Sequence, residues 1–147
     1  MIKNRYGYGD LLEIMRMLRS PGGCPWDREQ DHETLKKYFI EETYEVLDAI
    51  DLKDKDKLCE ELGDVLLQVI FHSRIASDDG AFDISDVIDG ISRKMISRHT
   101  HVFGNTKADT PDEVVASWEK IKKKEKGKED TTSLLRDVPK SLPALMR

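Results

Sequence analysis

The sequence predicts an all-α fold, a four-helix-bundle-like core with one accessory helix, and three observations carry that reading. Apolar residues recur at three- and four-residue intervals along most of the 147-residue chain. No stretch shows the every-other-residue alternation of a half-buried strand. The periodic stretches are joined by short segments rich in Asp, Gly and Pro, and short links make neighbouring helices antiparallel.

The first helix is expected from Asp10 to about Arg19, with Leu11, Met15 and Leu18 on one stripe. Ser20, Pro21, Gly22 and Gly23 stop it, because proline and glycine break helices. Gly22 to Asp27 then reads as a loop with two apolar anchors, Trp26 among them. A second helix runs from Asp31 to about Leu52 and carries Leu35, Phe39, Val46, Leu47 and Ile50. Asp51, Lys53, Asp54, Lys55 and Asp56 make a charged turn. The third helix, from about Lys57 to Ser77, carries Leu58, Leu62, Val65, Leu66, Val69 and Ile70. So short a turn predicts a helical hairpin.

Asp78, Asp79 and Gly80 end the third helix. Asp83 or Ser85 caps a fourth, reaching about His99, with Val87, Ile88, Ile91 and Met95 inward. Gly104 to Asp109 is a loop. Thr110-Pro111-Asp112-Glu113 is a strong start signal: a threonine cap, proline in the first position and a glutamate to close the box. That fifth, accessory helix carries Val114, Trp118 and Ile121. Six lysines between Lys120 and Lys128 read as a solvated helix end. Residues 1–125 form one domain, and residues 126–147, with Pro139 and Pro143, are expected to be irregular or mobile.

Composition narrows the function. Twenty-four basic against twenty-nine acidic side chains give a net charge of −5, a poor match to nucleic-acid polymers, whose binding runs on phosphate neutralisation. Aromatics at 7% disfavour a base-stacking surface. Acidic residues can still hold divalent cations, and cations hold phosphates. Cys24 and Cys59 stand far apart and form neither a disulfide framework nor a zinc knuckle. No apolar run approaches the ~20 residues of a membrane span, and residues 1–9 lack a signal-peptide core, so a cytoplasmic setting is expected.

The chemistry concentrates in Glu41-Glu42-x-x-Glu45, followed after fifteen residues by Glu61-x-x-Asp64. A three-residue spacing puts each pair on one helix face. Glu42 lies between Phe39 and Val46, and Glu61 and Asp64 lie among Leu58, Leu62 and Val65, so the acids sit on or beside the apolar seam. Carboxylates there must be protonated, paired or bound to a metal. Four converging acids with few basic partners favour a metal, and oxygen ligands favour a hard cation, magnesium or manganese. Glu60 is rotated away. Glu41 is either a ligand of a second ion or a base for water. Gly63, between two acids, either lets the helices approach closely or serves packing alone. A di-iron bundle would need two Glu-x-x-His pairs, and the one present, Glu29 to His32, precedes or opens a helix.

Lys94 and Arg98, four apart, share a face of the fourth helix and suit a phosphate tail. Lys57, one turn before Glu61, is a third candidate; each of these is also an ordinary surface cation. His99 and His101 read as capping or structural groups. Trp118 either packs or stacks on a base.

Together these residues resemble the MazG nucleotide pyrophosphohydrolases of the all-α NTP pyrophosphatase superfamily. Beyond the acids, the resemblance rests on Gly23-Cys24-Pro25-Trp26-Asp27, Glu61-Leu62-Gly63-Asp64, Arg98-His99-x-His101-Val102-Phe103 and Ser141-Leu142-Pro143-Ala144-Leu145, and it covers nearly the whole chain. It implies magnesium-dependent hydrolysis of nucleoside triphosphates (NTP or dNTP) to a monophosphate and pyrophosphate, with manganese as a substitute ion. By position, Glu42, Glu45, Glu61 and Asp64 match metal ligands, Glu41 matches the extra acid, and all five are the expected catalytic set. Lys57, Lys94 and Arg98 match phosphate contacts, and Trp118 is a looser match to a base-stacking aromatic. The expected partners are the nucleotide and a second copy of the chain, as a homodimer or higher homo-oligomer. The alternatives are a narrow enzyme for dNTPs or modified nucleotides and a non-catalytic nucleotide-binding module. The loop at Cys24-Pro25-Trp26-Asp27 argues against a phosphoribosyl-ATP enzyme. Two-domain members continue past Ser141 to Leu145 into a second repeat, whereas this sequence stops at Arg147.

Overall fold

The computed structural model describes residues 2–125. Its helices are α1 (Tyr8–Arg19), α2 (Pro25–Glu29), α3 (His32–Asp51), α4 (Lys55–Asp78), α5 (Ile84–Arg98), α6 (Thr100–Phe103) and α7 (Pro111–Glu125). No strand occurs among the described residues. The five expected helices are all present, with starts shifted by up to two residues. Two short ones were not foreseen. α2 replaces part of the expected loop, because Pro25 sits at the start of a helix, where its missing N–H costs nothing. α6 is a four-residue turn, too short to show a periodic pattern. The expected irregular segment 126–147, with the Ser141–Leu145 motif, lies outside the described residues.

Local chemistry sets the boundaries. At the start of α3, the Asp31 carboxylate accepts from the Thr34 N–H at 2.8 Å, and the Asp31 N–H donates to the Thr34 hydroxyl at 3.0 Å. Asp54 caps α4 by accepting from the Asp56 and Lys57 N–H groups at 3.1 and 3.0 Å. Asp83, rather than Ser85, caps α5 and accepts from the Ser85 N–H at 2.6 Å. The box at α7 forms as expected: Thr110 Oγ1 accepts from the Glu113 N–H, and Glu113 accepts from the Thr110 and Asp109 N–H groups. Between α3 and α4 the chain turns through Lys53, at a left-handed φ of 57°. The Lys53 and Asp54 N–H groups donate back to Ile50 and Ala49 carbonyls, closing a tight hairpin.

The chain divides into two compact units, Met1–Ile91 and Ser92–Arg147. In the first, α3 and α4 pack along each other and α1 lies on α4. Met15 of α1, Leu35 of α3 and Ile70, Phe71 and Ile75 of α4 form the core, bordered by Leu11, Leu12, Tyr38, Leu67 and Ile84. After α1 the chain doubles back so closely that a Cβ on Gly23 would lie 2.2 Å from the Leu18 carbonyl oxygen; only glycine fits. Arg19 fastens this corner. Its Nη1 donates to the Asp27 and Gln30 carbonyls, its Nε donates to Asp78 at 2.9 Å, and its guanidinium lies over the Phe71 ring.

Several apolar residues expected inside the bundle face outward. Leu47 and Ile50 of α3, Leu62 and Leu66 of α4, and Ile88, Ile91 and Met95 of α5 are exposed. Periodicity marks the apolar face of a helix, but not whether the same chain covers it. No helix among the described residues is long and apolar enough to cross a membrane.

Candidate metal centre

Three of the expected ligands meet between α3 and α4. One carboxylate oxygen from each of Glu42, Glu45 and Glu61 lies within 4.8 Å of the other two. They arrive from the two arms of the hairpin: Glu42 and Glu45 from one face of α3, Glu61 from the start of α4. Glu61 is 6% exposed, Glu42 is half-buried and Glu45 is exposed, so the cluster runs from the helix seam to its rim. Among the described residues this is the sole grouping of three or more His, Cys, Asp or Glu side chains close enough to share an ion.

Asp64 falls outside that tight triad. Its side chain has one methylene fewer than glutamate. It is half-buried one turn beyond Glu61, and its charge still reaches Glu42. Glu41 is exposed and adds a further negative charge beside Glu42. Glu60 is exposed, rotated off the seam as expected.

The electrostatics are those of an unbalanced cluster. Burial, then the charges of Asp64, Glu45 and Glu41, push the Glu42 carboxyl above the ordinary glutamate range. Glu61 is pushed up by burial, then by the charge and close approach of the Glu45 carboxyl; Lys57 opposes the rise. Lys57 Nζ stands 3.9 Å from Glu61 Oε1, one turn away on α4. One partly exposed ammonium does not neutralise this group of acids. Oxygen-only donors, like charges at close range and a buried member fit a hard divalent cation.

Gly63 does not let the helices approach: a Cβ there would meet nothing within 4 Å, because the residue faces out from α4. The Glu29–His32 pair of the di-iron alternative stands apart from the triad. His32 instead stacks on His72 of α4, Nδ1 to Nδ1 at 2.8 Å. Trp26, half exposed, sets its ring edge-on to Tyr38 and Phe71 and so anchors α2.

Lys94, Arg98 and Trp118 belong to the second unit, with the end of α5, α6 and α7. There Arg98 is already engaged: Nη2 and Nε donate to Glu125 Oε2 at 2.8 and 3.2 Å. Trp118 meets the His99 ring edge-on at 4.8 Å. His99 holds the first position before α6, and its Nδ1 lies 2.6 Å from the Met95 carbonyl oxygen. Sequence reasoning missed Glu125: twenty-seven residues separate it from Arg98, and it sits in a run of ordinary surface charge.

Comparison with known proteins bears on the same residues. The MazG nucleotide pyrophosphohydrolase domain matches residues 30–103, a span that contains every acid of the cluster. The chain is 56% identical over 140 residues to the uncharacterized protein YabN of Bacillus subtilis, covering 95% of this chain and 28% of that protein. It is 51% identical over 138 residues to a nucleoside triphosphate pyrophosphohydrolase of Escherichia coli K12, covering 93% of this chain and 52% of that one. The chain thus spans about half the length, or less, of these curated relatives. The crystal structure of a mazG-related protein from Thermotoga maritima aligns with a TM-score of 0.65 at 30% identity, covering 78% of this chain and 97% of that one.

Proposed function

This chain belongs to the MazG nucleotide pyrophosphohydrolase family, and from that premise we propose that it hydrolyses nucleoside triphosphates to a monophosphate and pyrophosphate with a divalent cation, magnesium foremost and manganese as its substitute. The observation that carries this reading is the triad of Glu42, Glu45 and Glu61 oxygens within 4.8 Å, with Glu61 buried. A cation held there supplies Lewis acidity to the phosphate oxygens and makes a water easier to deprotonate. Glu42, Glu45 and Glu61, with Asp64 beside them, hold it. Glu41, exposed at the rim, or a neighbouring carboxylate takes the proton from the attacking water. The water attacks the α-phosphorus in line, the bond to the oxygen bridging the α- and β-phosphates breaks, and pyrophosphate leaves. Lys57, Lys94 and Arg98 offset charge on the phosphates, and Trp118 borders the base. The reading also takes this work to be cytoplasmic, with neither a nucleic-acid nor a membrane partner.

The test is pyrophosphate release from a panel of NTPs and dNTPs, with magnesium, with manganese and in excess EDTA. Release that stops in EDTA and returns with either metal is expected. Undiminished release in EDTA contradicts the reading, and metal-dependent binding of nucleotide without release makes the chain a binding module. Turnover of a single dNTP or modified nucleotide would mark a narrow enzyme.

The same reading includes a second copy of the chain. Ile40, Tyr44 and Leu47 of α3 and Leu62 and Leu66 of α4 are large, exposed and spaced along helix faces of one hairpin. A two-fold axis lets one such stripe cover its own copy. Light scattering at micromolar concentration should give twice the chain mass, and Leu62→Glu should return it to one. A wild-type monomer would remove the homodimer.

A further inference from the structure

The Arg98–Glu125 contact does more than tie two helices together. Lys94, Ser97 and Arg98 lie within the last two turns of α5. Around one point they place a guanidinium fork, a hydroxyl and an ammonium charge. Glu125 of α7 fills that point. Its Oε2 accepts from Arg98 Nη2 and Nε, its Oε1 accepts from Ser97 Oγ at 3.3 Å, and the charge of Lys94 acts on it as well. The Arg98 hydrogen bond, foremost, holds its carboxyl below the ordinary range, so it is an anion at neutral pH.

A fork of two N–H donors with a hydroxyl beside it is the set of partners that phosphate oxygens take. We infer that Glu125 is an internal stand-in for substrate phosphate: a carboxylate that occupies the Arg98 cradle in the free enzyme and must leave before a phosphoryl group can enter. This rests on the reading of Arg98 as a phosphate contact. The exchange is feasible because the contact is only partly buried, at 19% exposure for Arg98 and 39% for Glu125, and ion pairs at such positions are weak. A triphosphate, with several charges and more acceptors, displaces a single carboxylate. Glu125 is thus a positioning residue. It keeps Arg98 extended and aimed while no nucleotide is bound, at the cost of some affinity.

The experiment is steady-state kinetics on the full chain with magnesium and a turned-over triphosphate, for wild type, Glu125→Gln, Arg98→Ala and the double variant. Glu125→Gln keeps the shape of the side chain and removes its charge. It should lower KM about two- to fivefold, the range of affinity a partly exposed ion pair accounts for. Arg98→Ala should raise KM, and in that background Glu125→Gln should have no further effect on it, since the two act through one contact. Calorimetric binding of magnesium pyrophosphate should follow the same order and does not depend on turnover. If Arg98→Ala raises KM while Glu125→Gln leaves it unchanged or raises it, Glu125 is a structural partner only and the inference is overturned. If Arg98→Ala leaves KM unaltered, the phosphate role of Arg98 fails first and the stand-in falls with it.

Discussion

Replacing Glu61 with glutamine is expected to abolish pyrophosphate release and, in the same protein, to stabilise the metal-free fold. Glu61 is the buried member of the triad, and its oxygen stands among those of Glu42 and Glu45. Burial and the Glu45 charge both disfavour its ionised form, so without a cation the folded chain carries a repulsion that the unfolded chain lacks. Glutamine has the same shape and no charge. It relieves the repulsion and removes an anionic oxygen from the ion's ligand set. Since altering even an outer partner of a metal site costs ten- to a hundredfold, loss of a direct ligand should cost more than about a hundredfold in turnover. Glu42→Ala and Asp64→Ala should likewise abolish turnover with helix content intact. Melting followed by circular dichroism checks the other half: magnesium should raise the wild-type midpoint, and Glu61→Gln should start higher and respond little. A Glu61→Gln chain that melts lower than wild type, or that still releases pyrophosphate at the wild-type rate, would show that the acids do not gather around an ion.

This trade-off explains why the hairpin could be read from sequence more completely than the rest. α3 and α4 carry long runs of apolar residues at helical spacing, and acids within such a run imply a reason for being there. The cap at Thr110 was equally plain, because its residue types act on neighbours a few positions away. What could not be read depends on which surfaces meet. The pattern marks Leu62, Leu66 and Ile88 as apolar-face residues but does not say that the protomer leaves them exposed. Gly63 sits between two acids in sequence but faces open space. Asp64 shares the phase of Glu61, yet the tight triad closes without it. Pro25 was expected within a loop and instead opens α2. For the leucines, Gly63 and Asp64 the missing information was the position of another element.

Arg19 is the strongest instance, and Arg19→Ala should produce the largest loss of stability from a residue outside the acid cluster. In sequence it is only the basic end of an amphipathic helix. In the fold it is 10% exposed, donates to two backbone carbonyls at the end of α2, and pairs with Asp78 at the far end of α4. Alanine leaves the Asp27 and Gln30 carbonyls without their charged donor and strips the cation from over Phe71. Asp78 keeps Arg74 as a partner, so its charge is not left uncompensated. The expected loss is therefore about 2–4 kcal/mol, below that of a fully orphaned buried ion. Arg19→Lys should recover only part of it, because one ammonium cannot reach three acceptors in a fixed plane. The loss should also depend on pH. Burial by itself would raise the Asp78 carboxyl, but hydrogen bonds from Arg19 and Arg74, with their charges, outweigh it and hold the group below the ordinary range. A lowered acid stabilises the fold fully above its unfolded pKa, near 4, and loses that contribution as pH falls through the folded value. Urea unfolding of wild type and Arg19→Ala should differ most at pH 7 and converge partly below pH 4, where the carbonyl contacts alone still separate them. A gap that stays constant, or widens, on acidification would assign the role of Arg19 to its carbonyl contacts and its packing on Phe71 rather than to its pairing with Asp78.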